Sequence, residues 1–206
     1  MFITFEGPDG SGKTTQISLL ADFLREQGYP VRTTREPGGT SIGDQIRDCL
    51  HDVRNIGMTA ATEILLYSAS RAQLVREVIR PALEAGAIVI CDRFADSTMA
   101  YQGYGRGLSL DDLAYITGFA TGDLQPDLTF LLDLDVEAGI GRRTSGGDEM
   151  NRMDLQKSSF HRRVRDGYLE MVASQPQRWV VVDADRAVDD VQAAIRDEVR
   201  KRVFGS

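Results

Sequence analysis

Apolar and polar positions succeed one another along this chain with two periods, and their order predicts strands alternating with helices. Residues 2–5 form a short β-prone run, broken over 6–12 by three glycines and a proline. Residues 14–27 then place Ile17, Leu20, Ala21 and Leu24 on one helical stripe, which Gly28 stops. A second strand over 31–34 and a helix over 41–50 flank the loop 35–40, and 55–58 is a further loop. Residues 59–84 predict one long helix, bent or divided near Ser70 and distorted at Pro81. Residues 87–91 are continuously apolar, as a central parallel strand covered on both faces requires.

A glycine-bearing segment, 103–107, precedes a helix over about 109–122, for which Ser109 and the pair Asp111 and Asp112 make a start. Residues 128–133 are a buried strand and 136–143 a helix, while the polar stretch 144–151 predicts a mobile surface excursion. Helix over 154–174, a fifth strand over 179–182 and helix over 188–203 complete the chain. Five strands alternating with helices predict an α/β fold with a mostly parallel sheet.

Composition narrows the partners. The 206 residues suit one hydrophobic core, so a single domain over 1–206 is expected. A net charge of -7 repels a phosphate backbone and speaks against nonspecific nucleic-acid binding, while leaving room for a local basic pocket around one small anion. No apolar run approaches the roughly 18 residues of a membrane span and no basic leader opens the chain, so no membrane partner and cytoplasmic residence are expected. Cys49 and Cys91 are expected as buried free thiols, and His51 and His161 as packing residues. The basic residues comprise 21 Arg and only three Lys, and Lys13 is the sole lysine of the first 156 positions. A chain that otherwise uses arginine keeps one compact ammonium there, where a point charge suits the geometry better than a planar fork.

That lysine stands in Gly7-Pro8-Asp9-Gly10-Ser11-Gly12-Lys13-Thr14, which matches G-x-x-x-x-G-K-[ST] at a strand-to-helix junction. Backbone N–H groups of such a loop wrap a β-phosphate, the lysine bridges β- and γ-phosphate oxygens, and the Thr14 hydroxyl is a Mg²⁺ ligand. Asp92 ends the third strand, where ligand sites of open α/β sheets lie, and is a second candidate for Mg²⁺ or its waters. Asp9 is a third, competing with an acceptor-side role and with a plain surface turn. Arg35, Arg47, Arg71 and Arg93 are candidate anion donors for a second phosphate-bearing substrate. The glycine loop by itself does not separate a kinase from a nucleotide switch, but the guanine-reading N-K-x-D pattern is missing: Asn151 is followed by Arg152.

Four fragments settle the comparison further: residues 5–15 around the glycine loop, Thr34-Arg35-Glu36-Pro37-Gly38-Gly39-Thr40, Tyr67-Ser68-Ala69-Ser70-Arg71-Ala72-Gln73, and 92–103 from Asp92-Arg93 to Tyr101-Gln102-Gly103. With these the chain resembles the bacterial thymidylate kinases from its first strand to its last helix. The resemblance implies a three-layer P-loop fold with strand order 2-3-1-4-5, Mg²⁺-dependent transfer of the ATP γ-phosphoryl group to dTMP, and a homodimer built on the 59–84 helix and its neighbours. It implies ATP binding by Gly7 to Thr15, including Pro8, Gly10, Ser11 and Gly12, with Arg142 near adenine beside the loop 182–185. It implies that Arg47 and Arg93 hold the dTMP phosphate, Arg71 the thymine edge and Tyr67 the base face. Ser97, Thr98 and Gln102 would line base and sugar, Tyr101 would disfavour a 2'-hydroxyl, Glu36 would organise its loop, and Asp9 would meet metal or sugar. A lid over about 142–154, hinged at Gly146 and Gly147, would bring an arginine to the transferring phosphate. Its middle departs from the family in lacking a basic residue, which leaves Arg143 and Arg152 at its edges. A kinase for another nucleoside monophosphate and a noncatalytic nucleotide switch remain the competing readings.

Overall fold

A computed structural model of the chain describes residues 1–145, 152–153 and 155–205. Five strands, β1 (Phe2–Glu6), β2 (Val31–Arg35), β3 (Ile88–Asp92), β4 (Leu128–Asp133) and β5 (Trp179–Asp183), form one parallel sheet in the order β2-β3-β1-β4-β5. This is the expected 2-3-1-4-5 order. The continuous apolar strands β3 and β4 and the wholly buried β1 occupy the middle, and β2 and β5, with exposed positions, form the edges.

Helices α1 (Lys13–Glu26) and α9 (Val188–Val199) cover one face, closing Ile3, Phe5, Leu20, Leu24, Ile90, Phe130 and Ile195 into one core cluster. Each such buried side chain contributes about 1.5–3 kcal/mol. Helix α2 (Ser41–His51) opens on Thr40, whose hydroxyl accepts the Gly43 N–H at 2.9 Å. Helix α3 (Ala60–Leu74) covers the other face with Leu74 against Phe2, Val89 and Phe94. It runs through Ser70 unbroken, so the expected division there is corrected. The distortion lies just before Pro81: a wide π-helical turn, Val75–Ile79, in which the Arg80 N–H reaches back to the Val75 carbonyl, leads into α4 (Arg80–Glu84). Proline lacks an N–H and crowds the carbonyl one turn back, and the wide turn absorbs that defect.

The stretch after β3, for which only a glycine-bearing segment over 103–107 was expected, is helical: α5 (Ala95–Thr98) runs into a second wide turn, Met99–Gly105. Helix α6 (Leu110–Thr121) begins on Ser109 and ends on left-handed Gly122, as expected. Helix α7 (Val136–Ser145) follows β4. Helix α8 (Ser158–Ser174) starts later than expected and packs Phe160, Val164 and Tyr168 on Tyr101 and Trp179. The centre of the expected lid, 146–151 with Gly146 and Gly147, and residue 154 lie outside the described residues. Cys91 is buried, but Cys49 is exposed on α2, which corrects its expected burial. No helix among the described residues is long and apolar enough to cross a membrane.

Candidate active site

The glycine loop joins β1 to α1 at the carboxyl edge of the sheet. Gly7 has φ 129°, and a Cβ there would stand 2.4 Å from the Leu132 carbonyl oxygen, so only glycine lets the loop pass so close to β4. Gly12, at φ 85°, turns the chain into α1 and aims its first N–H groups at the loop's hollow. Lys13 is buried beneath, with Nζ donating to the carbonyls of Pro8 at 2.8 Å and Gly7 at 3.1 Å. Burial lowers its pKa from the ordinary lysine value, and nearby Arg93 adds to this while Asp92 and Asp9 oppose it.

The loop opens on a cleft of ≈ 360 Å³. Asp9, Gly10, Lys13 and Thr14 form its loop end together with Asp92; Arg142 lies on the rim. Thr14 Oγ1 donates to Asp92 Oδ2 at 3.3 Å. Among the described residues no three His, Cys, Asp or Glu side chains gather into a metal cage. Two hard oxygens at the phosphate loop fit Mg²⁺, which takes one or two protein ligands and fills its shell with phosphate and water. Arg142 donates to the Ala184 carbonyl at 2.9 Å and pairs with Asp185 at 2.7 Å, fastening α7 to the loop after β5.

Arg93 is the centre of the cleft. It follows β3 with φ 68°, a left-handed conformation uncommon outside glycine, which turns its side chain back over the sheet edge. Its Nη2 bonds to Asp9 at 2.8 Å and the Tyr101 hydroxyl at 3.1 Å; its Nη1 reaches Ser97 at 3.3 Å and Tyr168 at 3.4 Å. Underneath lies Glu6, which the sequence pattern places only at the start of a loop. Its carboxylate accepts from Ser97 at 2.6 Å, Tyr168 at 2.7 Å and the Phe94 N–H at 2.8 Å, and stands 4.0 Å from Arg93. Burial, and then Asp96, pushes its pKa up to about 7 against the pull of Arg93, Ser97 and Tyr168.

At the far end, Arg71 is 1% exposed and lines the cleft. Its Nε and Nη2 serve Glu36 Oε2 at 2.8 and 2.7 Å, and Nη2 also donates to the Phe94 carbonyl at 3.1 Å. Among the described residues its Nη1 has no hydrogen-bond partner, and neither has Glu36 Oε1. Burial raises the Glu36 pKa while Arg71 pulls it down. Arg47, whose pKa burial lowers, donates to the Pro37 carbonyl at 2.9 Å, and Arg35 bonds to Asp44 at 3.2 Å. Tyr67, Thr98, Tyr101 and Gln102 complete the wall, joined by His51 and Met153, which sequence reasoning did not place here. Burial pushes the Tyr67 phenol up to about 12, so it stays neutral.

The remaining expected residues fall differently. Gly7, Pro8, Ser11, Gly12 and Thr15 belong to the loop and the start of α1 without lining the cleft. Arg143 sits in α7. Arg152 is 3% exposed, donates from Nε to the Leu50 carbonyl at 3.0 Å and pairs with Glu63 at 2.5 Å. In this structure it lines no part of the cleft.

A lysine-bearing anion cradle facing a second group of arginines across one cleft defines a P-loop phosphotransferase whose acceptor is itself anionic. Comparison with known proteins makes the class specific. The thymidylate kinase family profile matches residues 5–195. Curated thymidylate kinases of Geotalea uraniireducens and Deinococcus radiodurans are each 51% identical, over 98% of this chain and 97% of their own. The crystal structure of thymidylate kinase from Ehrlichia chaffeensis superposes with a TM-score of 0.80 at 35% identity, covering 97% of this chain and 98% of that one. The chain belongs to the thymidylate kinase family, within the P-loop nucleoside monophosphate kinases.

Proposed function

We propose that this chain transfers the γ-phosphoryl group of ATP to dTMP, giving dTDP and ADP, by alignment and charge stabilisation without a general base. The observation that carries the reading is the buried guanidinium of Arg71, which lines the same cleft as Lys13 and Arg93 and whose Nη1 has no hydrogen-bond partner among the described residues. An unmet donor in a dry wall costs about 1–3 kcal/mol, which a nucleobase carbonyl recovers on binding.

Lys13 exchanges its loop carbonyls for β- and γ-phosphate oxygens, within a cradle running from Gly7 to Thr15. Thr14 and Asp92 would hold the Mg²⁺ of MgATP, which supplies charge neutralisation at the phosphates. Arg142 and the loop it fastens border adenine. Arg93 and Arg47 hold the dTMP phosphate, already anionic near neutral pH, in line with the γ-phosphorus. Asp9, bonded to Arg93, steers that guanidinium and competes for the acceptor end. Tyr67 stacks on the base, Thr98 and Ser97 border it, and Tyr101 packs beside the sugar. Glu36 fixes Arg71. The lid over 142–154 would close on the phosphates with Arg143 or Arg152 at its edges as the arginine reaching the transferring group.

Purified protein incubated with ATP, Mg²⁺ and one of dTMP, dUMP, dCMP, dGMP, AMP or UMP is expected to make dTDP dominantly. Discrimination against dCMP is expected at about 10²-fold or more, because a mismatched edge leaves buried polar groups unpaired. Efficient product from another acceptor with no dTDP would remove the thymidylate reading and keep the kinase.

A homodimer fits the surface of α6, which packs on α3. Tyr115 and Phe119, one turn apart on α6, are 81% and 79% exposed, and Leu65 on α3 is 60% exposed. Large apolar side chains grouped this way mark an interaction face. Sedimentation is expected to give twice the 22.8 kDa chain mass, and Tyr115→Asp with Phe119→Asp to give the chain mass. A wild-type chain sedimenting at 22.8 kDa at every working concentration would remove the dimer.

A further inference from the structure

We propose that Glu63 is a positioning residue that fixes the side-chain amide of Gln102 and thereby makes the acceptor pocket select a pyrimidine carrying an imide N3–H. This rests on the dTMP reading above and assigns its base selectivity to a residue outside the cleft.

Glu63 lies in the first turn of α3, fully buried. Its Oε1 accepts from Gln102 Nε2 at 2.8 Å and Arg106 Nε at 2.7 Å; its Oε2 accepts from Arg106 Nη2 at 2.8 Å and pairs with Arg152 at 2.5 Å. Burial alone would raise its pKa, but hydrogen bonds from Arg106 and Gln102 and the charges of Arg106 and Arg152 hold it below the ordinary carboxylate value. Glu63 is therefore an anion, and an ionised carboxylate accepts hydrogen bonds and donates none. Only the NH₂ end of the Gln102 amide can face it.

Gln102 lines the cleft, so the end left for a ligand is its carbonyl, an acceptor. Arg71 lines the same cleft, and its Nη1 donor has no hydrogen-bond partner among the described residues. A donor and an acceptor in the wall of one cleft match the C4=O and N3–H groups of the imide edge shared by thymine and uracil. Cytosine presents an amino group and a bare N3 there, wrong at both points. The two arginines need no glutamine for their own neutralisation. Their effect is to keep Glu63 deprotonated, removing the acid form that would let the amide turn over.

The test is the ratio of kcat/KM for dTMP to that for dCMP, measured on the full chain. Glu63→Gln replaces an obligate acceptor by a group that both donates and accepts, so the Gln102 amide is free to rotate. The ratio is expected to fall about 30-fold or more, with KM for ATP unchanged. A purely structural Glu63 would lower both acceptors equally and leave the ratio in place. The double variant Glu63→Gln, Gln102→Ala is expected to be no less selective than Gln102→Ala alone, since both changes act through one amide. An unchanged ratio in Glu63→Gln, or losses that simply multiply in the double variant, would overturn the proposal. Should Glu63→Gln fail to fold, the wild type decides: N3-methyl-dTMP is expected to bind at least about 10-fold more weakly than dTMP, and equal binding overturns the assigned orientation. Wild-type protein that makes no dTDP sinks the dTMP reading together with this inference. Wild type that makes dTDP, with selectivity kept in Glu63→Gln, sinks this inference alone.

Discussion

Lys13→Met is expected to lower kcat for dTDP formation by about 10³-fold while leaving the chain folded, because it removes a preorganised cation from the point where transition-state charge develops. The ammonium is held by two loop carbonyls, Gly7 and Pro8, which are replaceable by phosphate oxygens without moving the backbone. Its depressed pKa says that the folded state disfavours the charge until an anion arrives. Removing it relieves a buried charge but leaves the Gly7 and Pro8 carbonyls without their donor, so the melting temperature of Lys13→Met is expected close to that of the wild type. Lys13→Arg is expected to rescue little, since a planar fork does not fit between those carbonyls. Steady-state kcat and thermal melts check both points. Turnover by Lys13→Met within ten-fold of wild type would take Lys13 away from the transferring phosphate.

How much of this was legible depended on how local each signal is. The glycine loop, Lys13 and the apolar runs of β1, β3 and β4 are written in consecutive residues, so the alternation of strands and helices and the phosphate end followed from them, while the strand order came from the family resemblance. The helix after β3 was not legible. Its wide turn over Met99–Gly105 departs from the 3.6-residue period, and Gly103 and Gly105 look like loop residues although they make room for Leu110, Phe160 and Val164. Glu6 looked like the first polar residue of a turn. A carboxylate closing an apolar strand immediately before a phosphate loop was the available signal, since its buried position beneath Arg93 follows from the parallel sheet alone. Glu63 gave no signal at all: an acidic residue in a helix's first turn normally complements the helix dipole. Its partner Gln102 is 39 residues away, and only tertiary structure joins them.

The arginine side of the cleft joins catalysis to stability, and Arg93→Ala separates the two. Loss of a bidentate anion donor is expected to reduce kcat/KM for dTMP by about 10²–10³-fold, with little change in KM for ATP. The same substitution strips Glu6 of its nearest cation, 4.0 Å away. Arg93 pulls the Glu6 pKa down, so without it the carboxyl rises further above its already raised value of about 7. A carboxyl raised in the folded state contributes stability that is fully present below its unfolded pKa of 4.5 and is lost as pH rises through the folded value. In wild type that loss runs from 4.5 to about 7; in Arg93→Ala it continues to higher pH, at about 1.4 kcal/mol per pH unit. The gap in melting temperature between wild type and Arg93→Ala is therefore expected to widen above pH 7 and to stop widening once Glu6→Gln is added to both. A gap that does not change with pH would show that Arg93 does not hold the Glu6 charge. The catalytic loss would then stand alone as the measure of phosphate binding.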